Sequence, residues 1–103
     1  MTRVSNMTSP STGREVANQF IIETDNTTVF QSYESMIVTI DYATKSLLIG
    51  ADWDYSRTTG RYRNAFLNNY NFSEIATKKA LEKAIEKGVC SNDMGNDWNV
   101  RLV

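Results

Sequence analysis

Between Phe20 and Ile49 the apolar residues fall in short runs separated by turn-formers, which is the spacing of strands. Phe20-Ile21-Ile22-Glu23 is the first run. Asp25-Asn26, residues that tolerate the positive φ of a tight hairpin turn, leads into Thr27-Thr28-Val29-Phe30-Gln31-Ser32-Tyr33 as the return strand. In Met36-Ile37-Val38-Thr39-Ile40-Asp41-Tyr42, simple alternation puts Met36, Val38, Ile40 and Tyr42 on one face. Ala43-Thr44 then turns the chain into Lys45-Ser46-Leu47-Leu48-Ile49, which Gly50 ends. Strands this closely spaced predict an antiparallel meander.

After Gly50 the period lengthens. Tyr62, Ala65, Phe66, Asn69 and Tyr70 recur at spacings of three and four, one buried stripe of a helix that a hydroxyl at Thr58 or Thr59 can cap. Asn68-Asn69-Tyr70-Asn71 breaks the pattern. Ser73 is the expected cap of a second helix over residues 74–87, with Ala76, Ala80, Leu81, Ala84 and Ile85 inward and Gly88 as its left-handed stop. Lys78, Lys79, Lys83 and Lys87 interleave with Glu74, Glu82 and Glu86, which reads as a solvated helix face. Trp98, Val100 and Leu102 alternate with Asn99 and Arg101, the pattern of one more strand. The expected fold class is α+β: a four-stranded antiparallel β-meander, two helices, then a C-terminal strand. Residues 1–18, rich in Ser, Thr and Asn, are expected to form a flexible N-terminal arm, leaving residues 19–103 as a single domain.

Composition narrows the chemistry. Hydrophobic residues make up 41% of the 103 and aromatics 11%, enough for one core, and the net charge is −1. That balance excludes a strongly acidic DNA mimic and excludes nucleic-acid binding by bulk charge, so any such binding needs a local patch. There is no histidine and only one cysteine, Cys90. An internal disulfide, a Cys/His zinc site and histidine-based acid–base catalysis are therefore ruled out. The first residues lack the apolar run of a signal peptide, so the sequons at Asn6, Asn26 and Asn71 are read as accidents of composition.

The densest chemistry lies in residues 52–68. Three of the six arginines stand there, Arg57, Arg61 and Arg63, among Trp53, Tyr55 and Tyr62. Helical spacing from Thr58 puts Arg61, Asn64 and Asn68 on one polar face, joined by Arg57 if the helix starts a residue earlier, with Arg63 on the flank beside Leu67. Arginine forks suit phosphate. Tyr55, Arg57, Arg61, Arg63, Asn64 and Asn68 are therefore the candidate binding residues, set against the plainer alternative of a solvated ion-pair surface with Asp52 and Asp54. Asp52-Trp53-Asp54 lacks the further oxygen ligands a metal needs, and nothing near Cys90 activates its thiol. No catalytic residue, metal or cofactor is expected, and the chain is read as a binding protein, not an enzyme.

Three blocks carry a resemblance: Asn18-Gln19-Phe20-Ile21-Ile22, Phe30-Gln31-Ser32-Tyr33-Glu34-Ser35-Met36-Ile37, and residues 53–67, Trp53-Asp54-Tyr55-Ser56-Arg57-Thr58-Thr59-Gly60-Arg61-Tyr62-Arg63-Asn64-Ala65-Phe66-Leu67. Over residues 18–88 the chain resembles an uncharacterised family of small bacteriophage and mobile-element proteins from Firmicutes and gut bacteria. The resemblance implies a phage accessory protein acting in the host cytoplasm, with no activity to transfer. It makes a host protein or nucleoprotein complex the expected partner, with or without nucleic acid, and makes inhibition of a defence system such as CRISPR–Cas one expected role. A nucleotide-binding, sponge-like protein is the alternative, and a metal-dependent nuclease a further one. No membrane partner is expected. An unpaired edge of the meander is a place where two copies can pair into a homodimer.

Overall fold

The apolar runs between Phe20 and Ile49 are strands in the computed structural model, which describes residues 1–103. The elements are β1 (Arg3–Thr8), β2 (Glu15–Glu23), β3 (Thr27–Ser32), β4 (Ser35–Asp41), β5 (Ser46–Ile49), α1 (Arg57–Asn69), a 3-10 turn at Ser73–Ile75, α2 (Lys78–Lys87), β6 (Val89–Ser91) and β7 (Asp97–Leu102). All strands join one sheet in the order β1-β2-β3-β4-β5-β7-β6. Five neighbouring pairs are antiparallel. The sixth, β5 with β7, is parallel, because both helices and β6 intervene before the chain returns beside β5.

The fold is thus α+β, with an antiparallel meander ahead of two helices and further C-terminal strands. It differs from the expected layout in strand number. The meander has five strands, and the tail adds β6 as well as β7, with β7 inserted between β5 and β6.

The largest correction is at the N-terminus. Residues 1–18, expected as a flexible arm, form β1 and the first part of β2, whose turn is closed by Ser9 N–H on the Arg14 carbonyl and Gly13 N–H on the Ser9 carbonyl, both at 2.8 Å. The reason is burial at two positions in an otherwise polar stretch. Met7 is buried in the core and Val16 packs against it. Burying one such side chain contributes about 1.5–3 kcal/mol, enough to hold a hairpin against an existing sheet edge.

A second correction concerns β4. The register shifts between Phe30 and Gln31, so Phe30 faces Val38 while Gln31 faces Met36. The extra residue, Ile37, is buried, and Met36 shares its row with Gln31 and Phe20 instead of with Val38 and Ile40. A bulge cannot be read from alternation, because it breaks the alternation.

The helices cover one face of the sheet. Phe30, Val38, Ile40, Leu47, Ile49 and Val100 meet Tyr62, Phe66 and Leu67 of α1 and Leu81 and Ala84 of α2 in a single cluster. Phe30 stacks on Phe66 at 5.7 Å between ring centres, and Phe72, between the helices, meets the edge of Trp98 at 5.2 Å. The second helix starts later than expected. Its cap is Thr77, whose side chain accepts from Ala80 N–H at 3.2 Å, while Ser73 donates its hydroxyl to Asp93 Oδ1 at 2.6 Å. Asp93 holds Ser73 out of the capping geometry, and Gly88 closes the helix as expected.

Two substitutions test this packing. Thr77→Ala is expected to cost about 1 kcal/mol of unfolding free energy through the lost cap. Gly50→Ala is expected to cost more, about 1–3 kcal/mol. A Cβ at Gly50 would fall 1.9 Å from the Met36 carbonyl oxygen, which belongs to backbone and cannot rotate away. Chemical denaturation of the two variants beside the wild type measures both.

Candidate functional site

Around the start of α1, one arginine organises the surface on which the others stand. Ser56 caps the helix, its hydroxyl accepting from Thr59 N–H at 3.1 Å, two residues before Thr58 and three before Thr59, the hydroxyls the sequence pointed to. Arg63 lies on the buried face of the helix, with Thr59, Gly60, Tyr62, Phe66 and Leu67, and is 1% exposed. Its guanidinium donates to the Trp53 carbonyl at 2.7 Å and to Asn64 Oδ1 at 3.0 and 3.2 Å, lies 5.3 Å from the Trp53 ring centre, and stands 3.6 Å from Asp54. A buried charge requires this kind of partnering. Burial pulls the guanidinium below its usual pKa, and Asp54 opposes the shift.

Asp54 is itself shared. Lys78 Nζ of α2 lies 2.9 Å from its other oxygen, and this hydrogen bond, more than the Arg63 charge, holds the Asp54 carboxyl below its ordinary range. One carboxylate therefore ties the loop before α1 to both helices.

With Arg63 turned inward, Arg57 and Arg61 remain on the surface one helical turn apart. They line a shallow groove with Ser56, Gly60, Asn64 and Lys78, and with Asp54 and Arg63 of the ion-paired support. Neither forms an ion pair. Arg61 is instead positioned by Ser11, at the tip of the β1–β2 hairpin, through a 2.8 Å hydrogen bond, and lies over the Tyr62 ring.

On the other side of Ser56 is an open cleft of about 850 Å³. Two tyrosines line it, Tyr33 at 58% exposed and Tyr55 at 76%. It also contains a chain of hydroxyls: Ser32 to Thr59 at 3.2 Å, and Ser56 to Thr59 at 3.2 Å. Tyr33 sits in the β3–β4 turn at φ 54°, a conformation a bulky residue rarely adopts. Glu34 and Asp52 stand beside it, no lysine or arginine side chain lines the cleft, and Asp52 accepts from Ser35 Oγ at 2.8 Å.

Of the six residues singled out from the sequence, Arg57, Arg61 and Asn64 come together in the groove. Tyr55 falls in the adjoining cleft, and Asn68 is exposed but lines neither. Arg63 borders the groove as a buried support and not as the flanking surface residue that spacing suggested. The same spacing argument missed Ser11, Tyr33 and Lys78. Of these only Tyr33 left a local signal, a large aromatic in a two-residue turn. Asp52 and Asp54 have separate partners, and no group of three or more Cys, Asp or Glu side chains is placed to hold a metal. Burial pushes the Cys90 thiol up to about 11, with Glu74 and Asp97 adding to it. No helix is long and apolar enough to cross a membrane.

The architecture of this surface belongs to an uncharacterised domain family: over residues 2–83 the chain matches the model described as "Family of unknown function (DUF8033)", and it is a member of that family. The match takes in the β1–β2 hairpin, α1 and the start of α2, so every residue of the groove and cleft lies within it. No curated protein and no solved structure matches the chain.

The division between support and surface has measurable consequences. Arg63→Ala is expected to destabilise the protein by roughly 3 kcal/mol, since it leaves the Trp53 carbonyl without its donor and empties the volume that the buried side chain fills. Arg57→Ala and Arg61→Ala should each stay within about 0.5 kcal/mol of the wild type in the same denaturation experiment. Because the Asp54 pKa is depressed in the folded state, its contribution is present above the unfolded value of about 3.9 and lost as pH falls through the lower folded value. The stability difference between Asp54→Asn and wild type should therefore be full at neutral pH and shrink below pH about 4. Cys90, protonated at neutral pH, should react with iodoacetamide far more slowly than a free thiol in the native protein, and at the free rate in denaturant.

Proposed function

We propose that the protein is a non-catalytic binding module whose α1 start holds a single-stranded nucleic acid, alone or as part of a host nucleoprotein. Phosphates occupy the groove at Arg57 and Arg61, and a neighbouring base stacks on Tyr55. The observation that carries this reading is the pair of exposed arginines one turn apart without a carboxylate partner. Neither is held by a carboxylate, and Arg61 gives one nitrogen to Ser11 while keeping its other donors, whereas Arg3, Arg63 and Lys78 are engaged with acids. The exposed tyrosine beside a cationic groove supports a strand with accessible bases over a duplex, because stacking needs an unpaired face. A phage or mobile-element accessory role, including inhibition of a host defence complex, belongs to the same proposal through the resemblance of residues 53–67.

A nucleotide-sized ligand is the second reading, favoured by the volume of the tyrosine-lined cleft, which lies within the usual range for small-molecule sites. Glu34 and Asp52 weigh against it, since they put two uncompensated carboxylates where a triphosphate would need cations.

Fluorescence anisotropy with labelled short single-stranded RNA and DNA tests the proposal. Two phosphate contacts on a single strand imply a slope of log affinity against log salt of about −1.4. Arg57→Ala with Arg61→Ala should weaken binding at least about tenfold and flatten that slope, and Tyr55→Ala should cost about 1–3 kcal/mol. Affinity indifferent to the double arginine substitution would sink the reading. A rise in melting temperature with mononucleotides but not with oligonucleotides would favour the small-ligand alternative.

A further inference from the structure

The strands carry apolar residues on both faces, yet the helices cover only one. Phe20-Ile21-Ile22, Val29-Phe30, Met36-Ile37-Val38 and Leu47-Leu48-Ile49 are continuous apolar runs, the composition of strands buried on both sides. Phe30, Val38, Leu47 and Ile49 point into the core. Their neighbours point away from it. The register aligns Val4, Ile22, Val29, Thr39, Leu48 and Arg101 in one row across six strands, and Asn6, Phe20, Gln31 and Met36 in the next. None of the six apolar residues in these rows belongs to the core cluster, and no element packs over them.

We propose that this face is the interface of a homodimer in which two copies pack sheet against sheet. Area and charge select a second copy as the occupant. Seven strands about 4.8 Å apart, each about six residues long, present roughly 600 Å² in projection. That approaches the ~800 Å² per partner of a stable interface, and side chains standing off the sheet raise the accessible area above its projection. The two rows, with the adjacent row of Thr27, Asp41, Ser46 and Asn99, contain one acid, Asp41, and one base, Arg101. Beyond these rows the face has acids only at its rim, Glu15 and Asp97, so its uncharged middle meets its own copy without like-charge repulsion and offers a charged partner nothing to pair with. The inference is independent of the nucleic-acid reading. The groove of Arg57 and Arg61 lies on the helix side of the sheet, so each copy keeps its groove free.

Sedimentation velocity on the full chain tests the proposal. The wild type is expected at about twice the 11.7 kDa monomer mass. Val29→Lys with Leu48→Lys should return it to the monomer with an unchanged far-UV circular dichroism spectrum. Thr39→Lys, which removes no apolar side chain from the row, should raise the dissociation constant at least about tenfold, corresponding to about 1.4 kcal/mol. A wild type that stays monomeric up to about 200 µM overturns the proposal, since interfaces of standard size bind in the micromolar range or tighter. A dimer that persists in both variants also overturns it, and would point to pairing at the free edges β1 or β6.

Discussion

The surface at the start of α1 depends on a buried arginine. Arg63 lies under Trp53, with its charge answered by Asp54 and its donors by the Trp53 carbonyl and Asn64. Placing that charge inside fixes the rotation of α1, and the rotation decides which arginines remain outside. It also holds the loop that delivers Ser56 to the helix cap and Tyr55 to the cleft. Lys78, reaching Asp54 from α2, extends the same constraint to the second helix. Arg57 and Arg61 owe their exposure and their lack of carboxylate partners to this arrangement, because Asp54, the nearby acid, is taken up by the support.

The sheet supplies the platform on which this arrangement rests. A five-stranded meander sets β3 beneath α1, so Ser32 reaches Thr59 and the β3–β4 turn lifts Tyr33 beside the helix start. Insertion of β7 between β5 and β6 brings Trp98 against Phe72 and closes the core beneath the link between the helices. The β1–β2 hairpin, anchored by Met7 and Val16, carries Ser11 to Arg61. Both ends of the chain therefore contribute to a surface whose principal residues come from its middle.

Much of the scaffold was legible in the pattern of residues. The runs at Phe20–Glu23, 27–33, 36–42 and 45–49 are strands, the Tyr62–Phe66 stripe is the buried side of α1, and Gly88 ends α2 where its left-handed preference required. Errors gathered where a local rule competed with a distant contact. Ser73 has the chemistry of a cap, but Asp93, twenty residues away, engages its hydroxyl and leaves the role to Thr77. Met36 has the spacing of a core residue, but the bulge at Ile37 turns it to the opposite face. The polar composition of residues 1–18 suggested disorder, because composition does not reveal that two apolar side chains suffice when a sheet edge is already present.

For the site itself, the sequence determined the materials: three arginines, Tyr55 and hydroxyls able to cap a helix close together, with no histidine. It also determined that the helix would bury Tyr62 and Phe66, since periodicity records which residues avoid water. Which arginine is support and which is surface was decided only in three dimensions. Arg57, Arg61 and Arg63 are chemically identical, and their roles separate according to which face of α1 packs inward and where Asp54 and the Trp53 carbonyl stand. Those depend on contacts from Trp53 and Lys78, and on packing against the sheet, which no spacing along the chain encodes.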